Sequence, residues 1–176
     1  TDMYLPHHFE DTDPQAVRDI IESCPLATLV VSASTGLAAN HIPVIADGAH
    51  AMIGHVAAAN DLHRTVDDGA PVLLIFSGED SYISPNWYPT KPQHHQHVPT
   101  WNYQVVHIHG RITFTRDDKA KRAIVGRMTK QFETAMNGSK AWKMADAPPD
   151  YMTAMIKNIV GFTIDIDRVL AKSKLI

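Results

Sequence analysis

A chain of 176 residues, 44% hydrophobic and 20% charged, suits one globular domain with a sizeable core, and we assign residues 1–176 to it. A formal charge of −3 argues against broad electrostatic capture of nucleic acid, and a single Cys24 rules out an internal disulfide framework. No apolar run reaches the roughly 20 residues that cross a bilayer, and the N-terminus has no signal-peptide pattern. The expectation is a cytoplasmic protein with no membrane association.

Thr1 to Glu10 reads as an irregular lead-in. Asp13-Pro14 suits a helix cap followed by proline in the first turn, and Ala16, Val17, Ile20 and Ile21 repeat at helical spacing up to Pro25. Leu26 to Ser32 is a short apolar strand. Ser34-Thr35-Gly36 turns into a second strand, Leu37 to Ala46, in which Pro43 signals an edge or irregularity. Asp47-Gly48 is a strong hairpin turn, leading to a third strand from about His50 to Val56. Asp61 to Asp68 suits a short polar helix, whose start offers backbone N–H groups to an anion. Val72 to Phe76 is a buried strand, Ser77 to Asp80 a turn, and Ser81 to Ser84 extended. Pro85 to Pro99 is too rich in proline for a regular element, and a loop of that length suits function or an interface. Val105 to Thr115 is a long strand. Asp117 to Met136 is an amphipathic helix with Ala120, Ile124, Met128, Phe132 and Met136 on one face. A last helix opens at Pro148-Pro149 with Met152, Met155, Ile156 and Ile159 inward. Gly161 to Asp167 closes the fold, and the Lys-rich tail is expected in solvent.

This order gives an α+β fold: an antiparallel Greek-key barrel with peripheral helices. Strand–helix alternation, a glycine fingerprint and a P-loop are all missing, which excludes a Rossmann or P-loop reading.

The stretch Tyr82 to Gly110 is the densest in chemistry. It holds two of the three Trp and four of the eleven Pro, among many His, Ser, Thr and Asn. Aromatic faces beside directional hydrogen-bonding groups suit a flat, heteroatom-rich ligand. His94, His95 and His97 offer imidazoles, but with no Cys or acid to complete a metal pattern they read as an exposed polar segment, and no metal site is assigned. His107 and His109 lie on one face of a strand, as cavity-lining or metal-binding residues or as hydrogen-bonded strand histidines. Asn40-His41 and His55 fall on adjacent strands, either as a site or as ordinary polar positions. Asn60, His63 and Arg64 bracket the short helix, where Arg64 offers a charged fork to a phosphate or simply lies on a solvated face. Arg116 to Lys130 reads as a solvated helix face, and Cys24 as a buried small hydrophobe. No Ser–His–Asp set is assignable, so no catalytic residue is nominated.

Nearly the whole chain resembles the PaiB-like family of FMN-binding negative transcriptional regulators. The resemblance rests on Met3-Tyr4-Leu5-Pro6-His7-His8-Phe9, Asn40-His41-Ile42-Pro43, Gly54-His55-Val56-Ala57-Ala58-Ala59-Asn60 and Ile159-Val160-Gly161-Phe162. Its most specific parts are Tyr82-Ile83-Ser84-Pro85-Asn86-Trp87-Tyr88 and Val98-Pro99-Thr100-Trp101-Asn102-Tyr103. It implies a split β-barrel of the FMN-binding, pyridoxamine-phosphate-oxidase-like type, built as a homodimer with FMN at the subunit interface. Mapped here, one subunit would contribute Asn40, His41, His55, Asn60, His63 and Arg64, and its partner Ser84, Trp87, Lys91, Thr100, Trp101 and Asn102. Arg64 and Lys91 are fewer cations than that fold often places around the phosphate. The resemblance further implies a regulatory or flavin-sensing role, with DNA as a partner although no DNA-reading motif is evident. An FMN-dependent oxidoreductase acting on a small substrate and a haem-binding split-barrel protein are the alternatives.

Overall fold

The computed structural model describes residues 1–176 and builds the fold from six antiparallel strands. They are β1 (Leu26–Ala33), β2 (Gly36–Asp47), β3 (Ala51–Ala57), β4 (Ala70–Ile83), β5 (Thr100–Thr115) and β6 (Ile159–Lys174). The strands hydrogen-bond in a closed ring in the order β1-β2-β3-β6-β5-β4, with β4 returning to pair with β1. Two tight hairpins set the first three strands: Gly36 and Gly48 take the positive φ values of 123° and 67° that the turns require. The long return of β4 to the side of β1 is the Greek-key step expected from the sequence.

Alternation decides which side chains face inward. Ala27, Leu29 and Val31 of β1, Ile42 and Val44 of β2, and Val106, Ile108, Ile112 and Phe114 of β5 enter one core with Phe162 and Ile164 of β6. Five helices surround this core: α1 (Pro14–Ser23), α2 (Leu62–Thr65), α3 (Lys91–His94), α4 (Asp118–Asn137) and α5 (Pro149–Lys157). Asp13 caps α1 by accepting from the Gln15 N–H, and Asp117 caps α4 by accepting from the Ala120 N–H. Ile124 and Met128 of α4 form a second small core with Ile45 and Ile53 on the outer face of β2 and β3. Gly161 allows this approach, since a Cβ there would lie 2.9 Å from Ile124 Cδ1.

Several sequence-based expectations need correction. Ser77 to Asp80 is not a turn: β4 runs through it as one strand, and the register against β5 shifts between Ser77 and Asp80. A bulge at Gly78 and Glu79 carries the same local signals as a turn but keeps the ladder going. As a result β5 begins at Thr100 rather than Val105, because Tyr82 and Ile83 extend β4 to pair with Trp101 and Thr100. The proline-rich segment is not wholly irregular, since it holds a 3-10 turn at Pro85–Trp87 and the one-turn helix α3. The polar helix is only Leu62–Thr65, shorter than Asp61 to Asp68. The Lys-rich tail is not free: β6 continues to Lys174, and Lys172 is only 6% exposed. Met155 lies outside the buried stripe of α5, which is Met152 and Ile156. Cys24 is half-buried at the C-terminal end of α1.

Candidate functional site

The start of α2 gathers four of the polar residues singled out from the sequence. Asn60 donates from Nδ2 to Asn40 Oδ1 at 3.1 Å, tying the β3–α2 corner to β2. Its own Oδ1 accepts from the Leu62 N–H at 3.0 Å. This N–H, offered in the sequence reading to an anion, is therefore taken by Asn60, and Leu62 anchors α2 in the core.

His63 and Arg64 turn back on the carbonyl of Ala58. His63 Nε2 lies 2.9 Å from Ala58 O and Arg64 Nη1 lies 3.2 Å from the same atom. A carbonyl only accepts, so Nε2 carries a proton and donates to it. The 3.3 Å approach of Arg64 Nη1 to His63 Nε2 then joins two donors and is not a hydrogen bond. With Nε2 donating, the neutral ring has its acceptor at Nδ1, which is buried and has no partner within the chain.

A further guanidinium comes from an unexpected place. Arg116, between the end of β5 and α4, donates from Nη2 to the His63 carbonyl at 3.0 Å and lies 5.7 Å from the centroid of Phe114. Sequence reading assigned Arg116 to a solvated face. The signal available was its position at the end of a strand, one residue before the Asp117 cap. Neither Arg64 nor Arg116 forms an ion pair, so two uncompensated positive charges flank α2. Asp68 does not neutralise them by an ion pair, and its Oδ1 accepts from the Phe114 N–H at 2.8 Å.

His41 and His55 sit differently. Asn40 shares the inward parity of Ile42 and Val44, so His41 points to the opposite face, where its Nδ1 lies 3.3 Å from Thr28 Oγ1. His55 pairs with Gly161 of β6, and burial pushes its imidazole pKa below the ordinary value. The register Val44↔Gly54 continues to set Pro43, rather than His41, beside His55.

The second group of residues occupies the far end of the β4–β5 ribbon and the loop it carries. Ser84 accepts from the Asn86 N–H, capping the 3-10 turn. Lys91 donates to Asn86 Oδ1. Thr100 Oγ1 accepts from Lys174, and Asn102 exchanges hydrogen bonds with the Ile176 backbone. Trp87 and Trp101 are 65% and 54% exposed, and the Trp101 ring meets Tyr82 edge-on at 5.7 Å. No hydrogen bond joins this group to the residues around α2 within one chain. His97 stacks on Tyr88 at 4.3 Å and hydrogen-bonds Thr90 at 2.8 Å, while His94 accepts from the Gln96 N–H. These histidines hold their own loop together.

On the outer face of β5, His107 and His109 stand side by side. Burial lowers the His107 pKa, and the neighbouring His109 adds to the effect while Asp2 opposes it. His109 Nε2 is buried without a hydrogen-bond partner, 3.8 Å from Asp2 Oδ1. His107 borders an open cleft with Met3, Ser77, Asp80, Trp101 and Tyr103.

Residues 3–168 match the family described as "Putative FMN-binding domain". The chain is similar to "Protease synthase and sporulation protein PAI 2" of Bacillus subtilis, with 28% identity over 98% of this chain and 81% of that protein. It is 32% identical to "Uncharacterized protein YKL070W" of Saccharomyces cerevisiae over 66% of this chain and 82% of the relative. Among solved structures it resembles the flavocytochrome Anf3 of Azotobacter vinelandii, with TM-score 0.71 and 14% identity over 99% of this chain and 72% of that one. It also resembles the FAD- and haem-binding protein of Mycobacterium smegmatis, with TM-score 0.67 and 16% identity over 94% and 73% of the two chains. These likenesses establish an α+β split-barrel fold. With its sequence matched over nearly its whole length, the chain belongs to the FMN-binding domain family.

Proposed function

We propose that the protein binds FMN in a composite site of a homodimer and acts as a flavin sensor with a negative regulatory role. The observation that carries the ligand reading is the pair of guanidiniums without ion-pair partners, Arg64 held by the Ala58 carbonyl and Arg116 by the His63 carbonyl, at the corner that Asn60 ties to Asn40. Guanidinium forks suit a phosphate. Bound FMN supplies a redox-active ring, and this chain's part is to hold the phosphate and orient that ring.

The dimer reading rests on surfaces that one chain leaves unfinished. Val30, Leu73, Ile75, Val105 and Leu170 point outward on adjacent strands and are only half-buried. Exposed Trp87 and Trp101 stand on the ribbon that extends beyond them. Half-buried apolar positions of this kind, on a face they share with His107 and His109, suit a second copy, whose Ser84, Trp87, Lys91, Thr100, Trp101 and Asn102 would complete the ring-binding side. The regulatory role rests on the resemblance of the Tyr82–Tyr88 and Val98–Tyr103 motifs to the PaiB-like regulators. The net charge of −3 favours an indirect effect over direct DNA reading.

Titration with FMN, followed by flavin fluorescence and sedimentation, tests this. Quenching with one FMN per chain in a dimer is expected. Unchanged fluorescence and melting temperature at saturating FMN would sink the proposal. Turnover of reduced nicotinamide through the bound flavin would instead favour the oxidoreductase. A haem reading has one observation in its favour, His107 bordering the open cleft with Trp101 and Tyr103. A Soret band that shifts on His107→Ala would support it.

A further inference from the structure

The barrel has a second opening at the end away from α2. α2 follows the last residue of β3, whereas this opening lies by Met52 and the β2–β3 turn at the start of that strand. A seven-residue strand separates them by roughly 20 Å. There α1 lies across the barrel mouth and leaves a cavity of about 390 Å³. Its volume falls in the range of small-molecule sites.

The inner wall is apolar. Met52, Ile108, Ile166 and Ala171 come from the barrel, and Val17 and Ile21 from α1. The rim is charged and unbalanced. It carries Glu10, Asp11 and Glu22 against Arg18 alone. Asp11 is engaged, accepting from the Asp13 N–H and Ser173 Oγ. Arg18 donates to Gln15 Oε1 at 2.9 Å and forms no ion pair. Glu22 has no hydrogen-bond or ion-pair partner, whereas Glu10 pairs through its backbone with Lys172 and its carboxylate lies 3.9 Å from the exposed His7.

An apolar body entering this cavity gains the transfer free energy of its surface. Its polar end must then sit at the rim, among carboxylates that outnumber the single guanidinium. A carboxylate or phosphate there meets repulsion from Asp11 and Glu22, whereas an ammonium gains a charge-assisted hydrogen bond at Glu22. We propose that this cavity binds small apolar amines, with the hydrocarbon between α1 and the barrel and the protonated amine at Glu22 on the rim. The site is independent of flavin binding at α2.

Isothermal titration of the full chain at pH 7.5 with 4-phenylbutylamine, 4-phenylbutanol and 4-phenylbutyrate tests it, because the three probes share a tail and differ in the head. The amine is expected to bind about tenfold more tightly than the alcohol, and the carboxylate most weakly. Glu22→Gln should bring the amine toward the affinity of the alcohol and leave the alcohol unchanged. Val169→Trp places bulk at the cavity edge, where Val169 is 42% exposed, and should abolish binding of all three with an unchanged circular dichroism spectrum. Saturating FMN should leave amine binding intact. Equal affinities for the three heads, no binding by the wild type, or wild-type binding in Val169→Trp would each overturn the proposal.

Discussion

Arg116 donates to the backbone carbonyl of His63 at 3.0 Å, across 53 residues, and so brings the end of β5 onto α2. That single bond sets a second guanidinium beside Arg64. If the pair receives a phosphate, Arg116→Ala and Arg64→Ala should each weaken FMN binding about tenfold to a hundredfold, the scale of a lost charge-assisted hydrogen bond. Riboflavin, which lacks the phosphate, should bind nearly as before. Fluorescence titration of both flavins against each variant measures this, and equal losses for the two ligands would remove the phosphate assignment.

The sequence carried the fold further than it carried the site. Asp47-Gly48, the alternation in β1 and the stripe of α4 are local signals, and local chemistry is what a sequence reading resolves. The bulge at Gly78 and Glu79 read as a turn because the register that continues past it belongs to β5, where Ser77 meets Val105 and Asp80 meets Tyr103. Lys172 read as a solvated tail because its partners, Tyr4 and Tyr103, lie far off in the chain. Arg116 was hidden for the same reason. Asn40, Asn60, His63 and Arg64 were legible as candidates, but which atoms remain unpaired depends on the shared carbonyl of Ala58.

Gly110 and Gly54 mark where strands leave no room for a side chain. A Cβ on Gly110 would lie 2.3 Å from the Asp165 carbonyl oxygen and 2.7 Å from Ile164 Cγ2. One on Gly54 would lie 2.6 Å from the Phe162 ring and 2.9 Å from Pro43 O. Gly110→Ala and Gly54→Ala should each destabilise by about 1–3 kcal/mol, seen as lower midpoints in urea. Gly110→Ala should cost more, since its closest neighbour is backbone. Midpoints equal to wild type would show that the strands part easily here.

Burial holds His55 below its ordinary pKa, and burial, with His109 beside it, does the same for His107. Above about pH 6.5 both rings are neutral in the folded and unfolded chain, so neither affects stability. As the pH falls below that value, the unfolded chain takes up protons that the folded chain resists. Stability should therefore decline as the pH drops from 6.5 toward the depressed folded values. Urea midpoints from pH 7.5 to 5.0 should show the decline, and the double variant His55→Gln/His107→Gln should flatten it. An unchanged slope in that variant would place the acid sensitivity elsewhere.

Lys172 fastens the N-terminal segment to the sheet. Its Nζ donates to the Tyr4 carbonyl at 3.2 Å and stands 5.3 Å and 5.2 Å from the ring centroids of Tyr4 and Tyr103. Lys172→Met keeps much of the packed stem but loses these contacts. A loss of about 1.4 kcal/mol in local stability opens the segment tenfold more often. Chymotryptic cleavage after Tyr4 should quicken by about that factor while the global melting temperature moves little. Cleavage at the wild-type rate would show that the Glu10–Lys172 backbone bridge and the Arg168–Asp2 ion pair hold the segment without these contacts.

Trp101 separates the needs of the fold from those of the proposed interface. Its ring is 54% exposed and touches one aromatic partner, Tyr82. Within a single chain its loss exposes little core, so Trp101→Ala should lower the chain's own stability by under about 1 kcal/mol. At an interface a Trp is among the residues whose truncation costs most, about 2 kcal/mol or more. The variant should therefore dimerise and bind FMN at least about thirtyfold more weakly, with riboflavin affected as much as FMN because the ring rather than the phosphate has lost its support. Sedimentation and flavin titration read the two effects separately. Loss of FMN binding with an intact dimer would place Trp101 against the flavin alone, and wild-type behaviour in both would remove the β4–β5 ribbon from the site.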